Sequence, residues 1–189
     1  RCFEEVNLSS PELVKQIHRD YKQSGADVIE TNTFGANRFK LRRFNLQDKL
    51  YEINRRGAEL AREVARDEVF VAGSVGPLGI QIEPLGPVAR EEAQEFFAEQ
   101  IRGLLDGGID ILIFETFINL DELHQAVLAA RKLTEIPIIA QVTIDEDGNT
   151  ITGADPETTI EQLTSFGADC IGINCTVGPQ TMLSWLETV

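Results

Sequence analysis

Five short apolar runs, each separated from the next by a longer stretch of helical spacing, constrain this chain more than any other feature. The runs lie at 27–31, 70–75, 111–115, 137–144 and 170–175. They are nearly continuous in hydrophobicity, as strands buried on both faces are. Between them, apolar residues recur every three or four positions over roughly 47–67, 90–105, 120–133 and 156–166, which predicts amphipathic helices. Another helix is predicted near the start. Ser9 and Glu12 fit a capping box and Pro11 suits the first turn; Leu13, Ile17 and Tyr21 share a face, and Gly25 is the stop. A last helix starts near Pro179, with Met182, Leu186 and Val189 on one face. A Gly/Pro-rich loop is expected over 76–87.

Strand–helix alternation of this kind predicts a parallel α/β sheet. The predicted strands end near Thr31, Val75, Glu115, Ile144 and Cys175, at intervals close to the roughly 31 residues per unit of an eight-unit barrel. A doubly wound sheet alternates in the same way, so the pattern admits both. A barrel would need about three more βα units than the five seen here.

Composition narrows the function. Among 189 residues, 17 Lys and Arg against 31 Asp and Glu give a net charge of −14. Such a chain repels phosphate backbones and anionic membrane surfaces, which argues against nucleic acid or membrane as partner. No apolar run approaches a membrane span, and no secretory signal is visible. Three cysteines, Cys2, Cys170 and Cys175, are too few and too odd in number for a disulfide framework. A reducing, cytoplasmic setting is expected.

Polar residues gather at the strand ends: Glu30-Thr31-Asn32-Thr33, Gly73-Ser74-Val75-Gly76-Pro77, Phe114-Glu115-Thr116-Phe117, Gln141-Val142-Thr143 and Gly172-Ile173-Asn174-Cys175-Thr176. The carboxyl ends of parallel strands are where α/β folds build their sites. Helix caps and turns are the competing explanation for each residue taken singly. Glu115 ends a buried run, so its carboxylate needs a cation or several hydrogen bonds; a ligand ammonium and an arginine of the chain both qualify. Cys170 and Cys175 are five positions apart, so the pleat sends them to opposite faces. Cys170 is expected in the core, and Cys175 is the candidate ligand or nucleophile.

Other patterns carry less. His18 and His124 are expected on helices with no metal-ligating neighbour at a convincing offset. Asp145-Glu146-Asp147-Gly148 has the wrong carboxylate spacing for a calcium loop and reads as a turn. The glycines at 76 and 79 lack the Lys-Ser/Thr ending of a phosphate loop, and no Gly-x-Ser-x-Gly occurs.

Four motifs, in order, resemble the homocysteine S-methyltransferase family: Ala26-Asp27-Val28-Ile29-Glu30-Thr31-Asn32-Thr33-Phe34-Gly35-Ala36-Asn37, Ala72-Gly73-Ser74-Val75-Gly76-Pro77, Glu115-Thr116-Phe117 and Gly172-Ile173-Asn174-Cys175-Thr176. Arg1-Cys2-Phe3-Glu4-Glu5-Val6-Asn7-Leu8 resembles most closely the methionine-synthase-like branch, which includes bacterial enzymes fused to a methylenetetrahydrofolate reductase. The resemblance covers essentially the whole chain. It implies a (β/α)₈ TIM barrel, present as a 1–189 domain cut at both ends, without its first strand and last two strands. It implies zinc held by three cysteines: Cys175 and an adjacent Cys-Cys pair expected beyond residue 189. Cys175 thereby becomes the catalytic metal ligand. Glu115 would hold the homocysteine ammonium, and Thr33, Ser74 and Asn174 would line the amino-acid pocket. The implied reaction moves a methyl group to homocysteine, giving methionine. The donor would be methyl-cobalamin or methylfolate brought by other domains, or a sulfonium compound. A barrel of this family that lacks the Cys-Cys pair and serves as a scaffold is the alternative. A Schiff-base aldolase is disfavoured because no lysine lies in the five predicted strands.

Overall fold

The computed structural model describes residues 1–188; Val189, predicted on the face of the last helix, lies outside the described residues. The five predicted strands form one parallel sheet: β1 (Val28–Glu30), β2 (Phe70–Val75), β3 (Ile111–Phe117), β4 (Ile138–Val142) and β5 (Cys170–Ile173). Their spatial order is their chain order, β1-β2-β3-β4-β5. A doubly wound sheet reverses order at a switch point. This one never does, so it has the topology of a barrel wall.

Eight helices accompany the sheet in the described residues: α1 (Val6–Ser9), α2 (Pro11–Gln23), α3 (Arg38–Arg42), α4 (Leu50–Ala65), α5 (Arg90–Asp106), α6 (Leu120–Arg131), α7 (Pro156–Ser165) and α8 (Pro179–Glu187). Neighbouring helices pack side by side, α2 on α4, α4 on α5, α5 on α6 and α6 on α7. The pleat explains which strand residues meet them. Ile29, Val71, Val75, Leu112, Phe114, Ile138, Ala140 and Val142 share one core with Phe97, Ile101, Leu104 and Leu123 of the helices. The alternate positions face the other side of the sheet, where Val28 and Phe70 are exposed.

β3 departs from a regular pleat. Phe114 pairs with Ala140 and Phe117 with Val142, so three steps on β3 match two on β4. This is a β-bulge, and Thr116 absorbs it at φ 62°. As a result Phe114 and Phe117 both reach the helix-side core, fully buried, with ring centroids 6.2 Å apart edge to face. Glu115 and Thr116 are left together on the opposite side.

Three expectations need correction. The Ser9–Glu12 capping box does not form. Ser9 closes α1, so it cannot take the extended backbone a cap needs; its hydroxyl donates to Glu5 Oε2 at 3.0 Å, while Glu12 pairs with Lys15 and Arg19. The first two units are longer than an even spacing implies. α3 and a 3₁₀ turn at Gln47–Lys49 lie between β1 and α4, and the predicted Gly/Pro loop lies between β2 and α5. Cys170 is exposed, not core. It begins β5, opposite Ile139 on the face away from the helices.

Candidate functional site

The bulge and its neighbours assemble a polar cluster at the carboxyl ends of β2, β3 and β5. The Ser74 hydroxyl donates to Glu115 Oε1 at 2.6 Å. Asn174 Nδ2 donates to Glu115 Oε2 at 3.2 Å and to Thr116 Oγ1 at 2.9 Å. The Thr116 N–H donates to Asn174 Oδ1 at 2.9 Å. Asn174 thus clamps the bulge by using both ends of its amide, which fixes which end is nitrogen. Glu115 is half-buried and accepts these neutral donors, and no basic side chain pairs with it among the described residues. Its negative charge is therefore not neutralised locally.

Cys175 is next to this cluster. It stands at φ 60° and Thr176 at φ 51°, left-handed conformations that cost roughly 1–3 kcal/mol for such residues and cluster at functional sites. Thr176 Oγ1 donates to the Ile144 carbonyl at 2.7 Å and the Asn174 N–H to the Val142 carbonyl at 3.1 Å, so the turn is held from β4. The left-handed turn, not pleat parity, sets the direction of Cys175. Its Sγ lies 3.7 Å from Thr116 Oγ1 and 3.6 Å from Asn174 Nδ2, exposed at the rim. Cys170, at the opposite end of β5, takes no part in the cluster.

Of the predicted pocket residues, Ser74, Glu115, Asn174 and Cys175 come together. Thr33 does not share their open face. It is fully buried, its hydroxyl donating to the Ser74 carbonyl at 2.8 Å and lying 2.6 Å from Thr31 Oγ1. Thr31 Oγ1 in turn accepts the Ser74 N–H at 3.0 Å. Thr31 and Thr33 therefore hold the backbone of Ser74 from behind. Gln100 of α5 anchors the same loop through the Thr33 carbonyl at 2.8 Å.

Sequence reasoning did not single out Thr116, Glu30 or Lys40. Thr116 has one signal, the spacing of Phe114 and Phe117, which a regular strand cannot bury on one side. Desolvation by the surrounding protein and the charge of Glu115 hold the Glu30 carboxyl above the usual carboxylate range. Glu30 has an open surface, and the neighbouring charge alone gives that direction. Burial lowers the pKa of Lys40 on α3. Burial raises that of Glu122 on α6 to about 7, against a Leu78 N–H donated to it at 2.8 Å. His124 stacks on Phe166 at 4.2 Å and His18 is buried in α2; neither belongs to the cluster. The 145–148 segment is a turn, with Asp145 Oδ1 accepting the N–H groups of Asp147 and Asn149 at 3.0 Å. Among the described residues no three His, Cys, Asp or Glu side chains converge as a metal site. Among the described residues no helix is long and apolar enough to cross a membrane.

Parallel strands in chain order, helices packed along one side and a polar rim at the strand carboxyl ends define a segment of a (β/α)₈ barrel. The chain superimposes on the metallated form of the homocysteine methyltransferase MmuM from Escherichia coli with a TM-score of 0.85 at 22% identity, covering 97% of this chain and 69% of that one. The apo form gives 0.78 at 23% identity. At such identities the likeness speaks for the fold. A family model described as homocysteine S-methyltransferase matches residues 2–189. Methionine synthases of Mycobacterium leprae and Mycobacterium tuberculosis are 35% and 34% identical over 198 aligned residues, each alignment covering 98% of this chain. The chain belongs to the homocysteine S-methyltransferase family. It spans 16% of the length of either methionine synthase.

Proposed function

We propose that this chain forms part of a zinc-dependent barrel domain that transfers a methyl group to homocysteine, giving methionine. One observation carries the reading: a half-buried carboxylate, Glu115, without a basic partner, set beside an exposed cysteine sulfur by a shared asparagine. An amino acid bearing a thiol matches both, its ammonium toward Glu115 and its sulfur toward Cys175. Family membership and the methionine synthase relatives support the same substrate.

Cys175 suits zinc in kind, being a soft and accessible thiol donor. This chain supplies one such donor, and the reading takes two more from a Cys-Cys pair beyond residue 189. When bound, zinc keeps a coordinated thiol deprotonated at neutral pH, where a free thiol of pKa about 8.5 is mostly protonated. The chain's own residues do the positioning. Glu115 holds the ammonium, Ser74 and Asn174 fix the two carboxylate oxygens, and Thr33 fixes Ser74. Asn174 also directs its amide toward the Cys175 sulfur. In the transfer, the homocysteine sulfur forms a bond to the methyl carbon as the donor–methyl bond breaks, and that electron pair leaves with the donor. Methyl-cobalamin, a methylfolate and a sulfonium compound are the donor classes, the first two delivered by other domains. An acidic chain with two exposed free thiols is read as cytoplasmic.

The test uses the zinc-loaded full-length protein, homocysteine and each donor class in turn, with methionine followed by mass spectrometry. Methionine formed with at least one donor supports the reading. Stoichiometric zinc with no methionine from any of them overturns it.

A further inference from the structure

Glu122 is a buried carboxyl group that the methyl-transfer reading leaves without a task. It lies in the first turn of α6, three residues after Asn119, whose side chain caps the helix by accepting the Glu122 N–H at 3.2 Å. A glutamate at this place commonly turns back to the N–H of the capping residue. Here Oε1 instead accepts the Leu78 N–H at 2.8 Å, in the loop that follows β2. Glu122 is 4% exposed and Leu78 is fully buried, so water does not compete for the contact. A carboxyl group so placed is costly unless its hydrogen bonds are made.

The two partners of this contact follow the two partners of another. Ser74 bonds Glu115 at the mouth. The chain reaches Leu78 four residues after Ser74, and Glu122 seven residues after Glu115. The ladder between β2 and β3 ends with Val75 beside Phe114, and the bulge begins one residue later. Glu115 is therefore past the regular pairing that would fix its distance from Ser74. The anchors already described for Ser74 and its loop come from the β1 side. Thirty-one and 33, both threonines, hold the Ser74 backbone. The Phe34 carbonyl accepts the Gly76 N–H at 3.1 Å, and Asn37 Nδ2 donates to the Pro77 carbonyl at 3.1 Å. The Leu78–Glu122 bond ties the same segment to the unit that carries Glu115. β2 and β3 are thus braced twice beyond their ladder, once at the mouth and once on the helix side.

We propose that Glu122 is a positioning residue for methyl transfer: through the Leu78 N–H it sets the spacing of Ser74 from Glu115, and so the aim of that carboxylate. The proposal rests on the methyl-transfer reading above. Glu122 is buried behind the mouth and acts on the substrate only through the Ser74–Glu115 contact.

Steady-state kinetics on the zinc-loaded full-length protein tests this. Glu122→Leu removes the acceptor and is expected to raise KM for homocysteine by about tenfold, the loss of one buried hydrogen bond, with kcat and the KM of the methyl donor within about twofold. Glu122→Gln keeps an oxygen for the Leu78 N–H and is expected to recover most of that loss. The effect should pass through Ser74, so in a Ser74→Ala background Glu122→Leu should add less than about twofold. An unchanged KM in Glu122→Leu, an equal loss in Glu122→Gln, or effects of Ser74→Ala and Glu122→Leu that multiply would each overturn the proposal and leave Glu122 a group of the scaffold alone. If Glu122→Leu does not fold, Glu122→Asp, one methylene shorter, takes its place under the same criteria. A wild-type protein that turns over no homocysteine with any donor fails the methyl-transfer reading, and the proposal with it. An active wild type matched by the Glu122 variants fails only the Glu122 assignment.

Discussion

The hydroxyl of Ser74 donates to Oε1 of Glu115 at 2.6 Å, from the last turn of one strand to the bulge of the next. The contact orients a carboxylate without cancelling its charge. Ser74→Ala should therefore raise KM for homocysteine by about tenfold with little change in kcat, the loss of one charge-assisted hydrogen bond. Glu115→Gln removes the charge itself and should raise KM by about a hundredfold. Steady-state kinetics on the full-length protein checks both. Equal effects of the two variants would mean that Glu115 is structural.

Cys175 is exposed and held by its backbone, so its side chain contributes little to packing. Cys175→Ala should abolish stoichiometric zinc in the purified full-length protein and shift Tm of the zinc-free protein by less than about 2 °C. Cys170→Ala should leave zinc content unchanged. Elemental analysis with a thermal melt decides the matter. By the same reasoning the isolated 189-residue chain, which supplies one ligand, should retain zinc poorly.

The strands were legible because each is an apolar run too short for a helix and long enough to cross a sheet. Glu115 and Cys175 were legible for a related reason, since packing does not explain such groups at strand ends; Ser74 and Asn174 came from the family resemblance. α1 and α3 were not legible. Arg38-Phe39-Lys40-Leu41-Arg42 is too short to show a period, and its helix depends on Asn37, whose side chain accepts the Phe39 and Lys40 N–H groups. The bulge was hidden inside a run that reads as continuous. Thr33 was placed in the pocket by its motif, and its hydroxyl turned out to be used by the Ser74 backbone. Cys170 was assigned to the core by pleat parity with Cys175, which the left-handed turn at Cys175 breaks.

Gly57 of α4 marks where the scaffold meets the site. A Cβ there would come within 2.7 Å of both Asn7 Nδ2 and Thr33 Cγ2. Both residues are fully buried, and Asn7 is pinned to the Asn32 and Ile53 carbonyls, so neither can yield cheaply. Gly57→Ala should destabilise the fold by about 1–3 kcal/mol in denaturant titration, despite alanine's better helix propensity. An unchanged or raised stability would show that the loop over Thr33 is free to move.

Glu122 gives stability a pH dependence. Its folded pKa, about 7, lies above the ordinary 4.5, so the folded state holds the proton more tightly than the unfolded one. Its contribution is fully present below pH 4.5 and is lost as pH rises to about 7, a difference of the order of 2–3 kcal/mol. Glu122→Gln keeps an oxygen for the Leu78 N–H and removes the titration. The variant should be more stable than wild type at pH 8, and its stability should fall less between pH 5 and 7. Parallel curves for the two proteins would assign the proton elsewhere.

The extra residue in β3 works as a phase shift. Before it, the strand is in step with its neighbours; after it, the reading frame of the two faces has advanced by one, so that Phe117 returns to the helices while Glu115 and Thr116 stay at the mouth. The site is in this sense encoded by length as much as by identity. Trimming one residue between Phe114 and Phe117 would restore the plain alternation: Phe117 would still reach the helices, and only one side chain would be left at the mouth where Glu115 and Thr116 now stand together.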